Sequence, residues 1–104
     1  MKEIKAFIHR NRIADVIHAL RSAGFRNLSI VDVKGTLKAL DNKEQNYSVK
    51  LGSAVITEMK LELVCEDARV DEATRLIQQH ARTGQADAGW IYITDIGRAI
   101  RIEG

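Results

Sequence analysis

The 104-residue sequence contains no proline. Its turns must therefore be made by Gly, Asn and Asp, without a ring-fixed φ to stiffen them. A single cysteine, Cys65, excludes an internal disulfide and fits a reducing compartment, so a cytoplasmic location is expected. Aromatic residues are scarce, one Trp, two Tyr and two Phe, too few to suggest a stacking platform for single strands. The net charge is only +2 and the basic residues are not clustered, so no nucleic-acid partner is expected. No apolar run is long enough to cross a bilayer; membrane contact is expected only through a target protein. The opening Met1-Lys2-Glu3-Ile4-Lys5 lacks the apolar core of a secretory signal. His9, His18, His80 and Cys65 do not stand at zinc-ligand spacing, so no metal is expected. No Ser-His-Asp, Cys-His or paired-carboxylate arrangement is legible, and the chain is not expected to be an enzyme.

What is present is the composition of one globular domain spanning 1–104, 45% hydrophobic and 29% charged. Residues 2–9 alternate, with Ile4, Ala6 and Ile8 on one face and Phe7 on the other, which predicts a strand. A helix is predicted over about 12–23, with Ile13, Val16, Ile17 and Leu20 on one stripe, Asn11 as its cap and Gly24 as its stop. Strands are predicted at 27–34 and 56–65, the second through Met59, Leu61, Leu63 and Cys65. A second helix follows, capped by Asp67, with Val70, Ala73, Leu76, Ile77 and His80 as its buried stripe. A fourth strand is predicted over 90–96, and the tail 97–104 offers a possible fifth extended piece.

Between the second and third strands the pattern fails. Residues 36–55 carry mixed charge and few large apolar groups, which predicts a loop that orders on contact with a partner. The resulting order, βαβ, long loop, βαβ, predicts an α+β, ferredoxin-like fold: a four-stranded antiparallel sheet with two helices on one face. The other sheet face, bearing Phe7, Val64 and Ile91 or Trp90, needs a cover, and partner subunits are the simplest one.

The stretch Arg82-Thr83-Gly84-Gln85-Ala86-Asp87-Ala88-Gly89-Trp90 lies between the second helix and the fourth strand. Two glycines, a Thr hydroxyl, turn-borne N–H groups and a basic residue make a candidate anion cradle. It is neither a Walker loop nor a dinucleotide fingerprint. Read alone, it is more simply a helix stop, a turn and a strand start.

Five separated segments carry a resemblance to the PII signal-transduction superfamily: Met1-Lys2-Glu3-Ile4-Lys5-Ala6, Val31-Asp32-Val33-Lys34-Gly35, Lys60-Leu61-Glu62-Leu63-Val64, Thr83-Gly84 with Gly89, and Arg98-Ala99-Ile100-Arg101-Ile102. The resemblance implies a homotrimer that binds adenine nucleotides in clefts between subunits and docks on a regulated target through a loop, the T-loop, here residues 36–55. By position, Gly35, Leu63, Val64 and Arg82, Thr83, Gly84, Gln85, Ala86, Asp87, Ala88, Gly89 and Trp90 would line one wall of the cleft. Asn27, Leu28, Ser29 and Arg101 would come from the adjacent subunit. Lys38, Tyr47 and Lys50 are the candidates for partner or anion contact.

Departures from the family pattern matter as much. Leu51 stands where nitrogen-sensing members carry a modified tyrosine, and Ala39 and Glu58 replace the Gln and Lys of their 2-oxoglutarate site. Trp90 and Glu103 replace two basic groups that hold a triphosphate, so ADP or AMP should be favoured over ATP. The run from Arg82 to Gln85 with Ala88-Gly89-Trp90 also resembles the carboxysome-associated PII-like proteins, which implies bicarbonate as a candidate second effector. No tightly bound cofactor is expected. The alternative is an adaptor of the same fold that no longer senses nucleotide and acts through its loop alone.

Overall fold

The computed structural model describes residues 1–33, 59–85 and 88–104. The predicted loop therefore lies outside the described residues, together with Gly35, Lys38, Tyr47, Lys50, Ala86 and Asp87. The chain forms strand β1 (Lys2–Ile8), helix α1 (Arg10–Ser22), β2 (Leu28–Asp32), β3 (Met59–Cys65), a 3-10 turn (Asp67–Arg69), α2 (Val70–His80) and β4 (Gly89–Asp95). The four strands form one antiparallel sheet in the order β2-β3-β1-β4, the ferredoxin-like arrangement expected from the sequence. No described helix is long and apolar enough to cross a membrane.

Alternation decides which face each strand buries. Ile4, Ala6 and Ile8 of β1 and Leu61 and Leu63 of β3 are at most 2% exposed, packed with Val16, Leu20, Phe25, Ala73 and Ile77. Among the described residues these form one core between sheet and helices. On the opposite face Phe7 stands across from Trp90 and Lys60, and Lys5 across from Tyr92 and Glu62. Ile91 pairs with Ala6 and packs on the helix side, so Trp90 rather than Ile91 belongs to the open face. That choice was open in the sequence, because residues 90–93 are apolar or aromatic on both parities.

Helix α1 ends in a Schellman turn. Phe25 N–H donates to the Leu20 carbonyl (3.0 Å) and Gly24 N–H to that of Arg21 (3.0 Å), with Gly24 at φ +94°. The turn drops Phe25 into the core beside Leu20. Arg69 then lies 3.9 Å over the Phe25 ring, donates to the Ala23 carbonyl (2.7 Å) and pairs with Glu72 (3.1 Å). One guanidinium thus fastens the end of α1 to the start of α2.

Two caps differ from expectation. Helix α1 begins one residue before Asn11, with His9 in the cap position and Arg12 N–H donating to its carbonyl (2.9 Å). β1 runs to Ile8 and the chain turns at once, so Asn11 lies inside the helix. Asp67 opens the 3-10 turn instead of capping α2, because its carboxylate accepts from the N-terminal ammonium of Met1 (2.6 Å). The tail also differs: 97–104 forms neither helix nor strand.

Candidate functional site

Helix α2 closes at Ala81, whose N–H donates to the Ile77 carbonyl (2.9 Å). The chain leaves through Arg82 and Thr83, and Gln85 N–H reaches the Thr83 hydroxyl oxygen (3.4 Å). Gly84 takes φ +84°, a left-handed conformation that a side chain would strain. The chain rejoins the sheet at Gly89, where φ is +142°. A Cβ there would sit 2.0 Å from the Phe7 carbonyl oxygen. The start of β4 can approach β1 this closely only because residue 89 is glycine.

The turn and the strands enclose a cavity of about 390 Å³. Its floor is apolar, made by Ala6, Ile8, Ile77, Ala81 and Ile91, and its rim carries Gln78, Arg82, Thr83, Gln85 and Trp90. Arg82 is the one cationic side chain among these lining residues. The carbonyl end of α2 lies beside the same turn and carries partial negative charge, so Arg82 and the turn N–H groups have to outweigh it for an anion to sit there. The arrangement suits a ligand with a planar apolar part over the floor and an anionic part at residues 82–85.

Trp90 is 47% exposed. Its ring stacks on Tyr92 (centroids 6.4 Å, planes 17° apart), and Tyr92 meets Phe7 edge-on at 6.1 Å. Three of the five aromatics thus gather at one corner of the open face, a clustering hidden by their low count.

The other candidates stand at a different corner. Leu28 pairs with Leu63 and Ser29 with Glu62, and Asn27 and Val64 share a separate hollow of about 460 Å³ with Arg26, Arg69 and Met1. Leu63 is buried at 2% exposure with its side chain in the core, whereas Val64 is 37% exposed. Val64 lies two strands across and four residues along from Trp90 in register, roughly 17 Å from strand dimensions. In the single chain, then, Leu63 and Val64 sit with Asn27, Leu28 and Ser29, while Arg82, Thr83, Gly84, Gln85, Ala88, Gly89 and Trp90 share the cavity. Arg101 lies exposed in 97–104 and lines neither.

Sequence reading missed the floor, because Ala6, Ile8, Ile77 and Ile91 carry the periodicity of ordinary core positions. The alanine between two isoleucines was the only local hint of space there. Among the described residues no group of three or more His, Cys, Asp or Glu is placed to hold a metal ion. Burial pushes the Cys65 thiol above its usual pKa, the opposite of the shift an activated thiolate needs.

Comparison with known proteins supplies the family. The family profile described as Nitrogen regulatory protein P-II matches residues 1–104. The chain is 33% identical over 102 residues to the nitrogen regulatory protein P-II of Rhodospirillum rubrum, covering 98% of this chain and 91% of that one. It is 32% identical to the Rhodobacter capsulatus protein of the same name, with the same coverage. To the nitrogen regulatory protein P-II 1 of Methanothermobacter thermautotrophicus it is 28% identical, covering 98% and 89%.

Proposed function

The chain belongs to the nitrogen regulatory protein P-II family, and from that premise we propose a homotrimeric sensor that binds adenine nucleotide between subunits. It is a regulatory signal-transduction protein. In the proposed assembly the Arg82-to-Trp90 cavity of one copy faces the Asn27–Val64 corner of the next. Two half-sites at opposite corners of one sheet cannot close on the same ligand within a chain. A head-to-tail contact that repeats around a ring brings them together, and the family resemblance sets that ring at three.

The observation that carries this reading is the cavity itself: an apolar floor beneath a glycine turn, with Arg82 on its rim. The floor takes the nonpolar part of the nucleotide, and the turn N–H groups and Arg82 take phosphate. Arg101 of a neighbouring copy adds countercharge. With so few cations, AMP or ADP is favoured over ATP. Bicarbonate is the proposed second effector, near Lys38, Lys50 or Arg82. Residues 36–55, with Tyr47, engage a regulated transporter or enzyme, and the compartment is the cytoplasm.

Calorimetric titration with AMP, ADP and ATP tests the reading. AMP and ADP should bind more tightly than ATP, and 2-oxoglutarate should add nothing to ATP binding. Arg101→Ala should weaken the nucleotide by about 1.5–3 kcal/mol, the cost of a lost charge-assisted bond. No heat at millimolar nucleotide, with or without bicarbonate, would overturn it. The exposed indole at the cavity rim favours one second reading, an adaptor that has kept the fold and lost the ligand. Capture of a target that depends on residues 36–55 but not on nucleotide would select it.

A further inference from the structure

The corner that carries Asn27, Leu28 and Ser29 hangs on a short turn. On one side the turn is fixed by Phe25, 4% exposed in the core, whose N–H donates to the Leu20 carbonyl (3.0 Å). On the other side it is fixed where Leu28 pairs with Leu63 and the edge strand β2 begins. Arg26 and Asn27 span these two points, and both are exposed. Their placement therefore follows the turn Ala23-Gly24-Phe25 rather than any burial of their own.

Arg69 covers that turn from the other half of the chain. Its guanidinium lies 3.9 Å over the Phe25 ring and donates to the Ala23 carbonyl (2.7 Å). It also packs on Gly24, where a Cβ would stand 3.7 Å from Nη1. The same Nη2 reaches both carboxylate oxygens of Glu72, at 3.1 Å each. One planar group thus holds three successive residues, which the point charge of a lysine does not reproduce. Arg69 lines the same hollow as Asn27 and Val64. Its face is taken by the ring and its charge is balanced by Glu72, so it grips the turn instead of meeting a ligand. Neither Arg69 nor Phe25 belongs to the five segments that carry the PII resemblance.

We propose that Arg69 is a positioning residue: it fixes the turn at residues 23–25 and so holds Asn27, Leu28 and Ser29 against the ligand in the cavity of the next copy. The assignment rests on the shared cleft of the proposed function and adds the side chain that keeps one wall in place. A clamp remote from the ligand still matters, since a displacement of about 1 Å can cost up to about a hundred-fold.

Two variants test it. Arg69→Met keeps the apolar stem and removes the donors; Arg69→Lys keeps the charge without the planar fork. The side chain is 37% exposed and no core residue changes, so both variants should keep the far-UV circular dichroism of the wild type. Calorimetric titration should show AMP and ADP bound about ten-fold more weakly by Arg69→Met, by the same factor for each, with Arg69→Lys in between. Lost stability alone does not produce this. Apparent affinity falls only with the binding-competent fraction, which stays near one well below the melting temperature. In hydrogen exchange, the amides of 26–29 should open faster in Arg69→Met, while those of 82–85 keep their wild-type rates. Unchanged affinities in Arg69→Met would overturn the assignment. A greater loss for ADP than for AMP would also overturn it, by making Arg69 a direct phosphate contact. Exchange raised equally at 82–85 would reduce Arg69 to a part of general stability. A wild-type chain that takes up neither nucleotide would sink the sensor reading itself, before any substitution is compared.

Discussion

The two faces of one sheet have opposite characters. On the helix side, Ile4, Ala6, Ile8, Leu61 and Leu63 are at most 2% exposed, in contact with residues from both helices. On the other side, Val31 of β2, Val64 of β3 and Trp90 and Tyr92 of β4 stand at 37–47% exposure, interleaved with paired charges. The helix face is closed over the central strands β1 and β3, where it builds the fold, while Ile30 and Ile93 on the edge strands of the same face stay 40% and 47% exposed. The open face stays exposed, and the candidate cavity lies at the sheet's edge on the helix side, floored by Ala6, Ile8 and Ile91 and rimmed by Trp90. The lesson is that the candidate site is built at the margin of the core, from helix-side strand residues together with the exposed indole of Trp90.

The largest test of that contrast is Leu61→Ala on the helix face, expected to cost about 2–5 kcal/mol in denaturant unfolding as a cavity opens. Val64→Ala on the open face should change stability by only about 0.5 kcal/mol. An equal cost at the two positions would mean that the open face is packed as tightly as the core. Next comes Gly89→Ala, at the seam between the faces. The added methyl would meet the Phe7 carbonyl, so a loss of about 1–3 kcal/mol is expected, with the cavity deformed. A variant of unchanged stability that still binds AMP would break the account of the cavity.

The smallest effect belongs to the exposed Met1–Asp67 pair. The hydrogen bond from the ammonium holds the Asp67 carboxyl below its usual 3.8, and the same bond raises the ammonium above 8.0. The Asp67 contribution is present above the unfolded carboxylate value and is lost as pH falls through the lower folded one. The Met1 contribution is present below 8.0 and fades as pH rises through its raised value. Asp67→Asn should therefore flatten both limbs of a melting-temperature profile, slightly, because solvent screens the pair. A profile that steepens on the acid side would reverse the sign argued for Asp67.

Local pattern made most of the elements legible. Period-two alternation marked β1 and β3, a 3.6-residue stripe marked both helices, and Gly24 marked the end of α1. The caps were not legible: Asn11 and Asp67 have the right chemistry, but the helix starts at Arg10, ahead of Asn11, and Asp67 opens a 3-10 turn. Asp67 was claimed by an ammonium 66 residues away, a contact that propensity cannot register. The cradle 82–90 was visible as chemistry, from its glycines and Arg82. Its floor was not, because a core isoleucine and a cavity-lining isoleucine have the same periodicity.

By itself, then, the sequence determined the order of elements, the fold class, the family and the turn around Gly84, because each rests on short-range spacing or on matched segments. Only the tertiary structure decided that Trp90 rather than Ile91 lies on the open face, since strand pairing fixes parity where several neighbours are apolar. Only it revealed that Asn27, Leu28 and Ser29 sit with Leu63 and Val64, a consequence of β2 pairing with β3 across a long connection. And only it separated that corner from the cavity under Arg82, because the order β2-β3-β1-β4 places β1 between them.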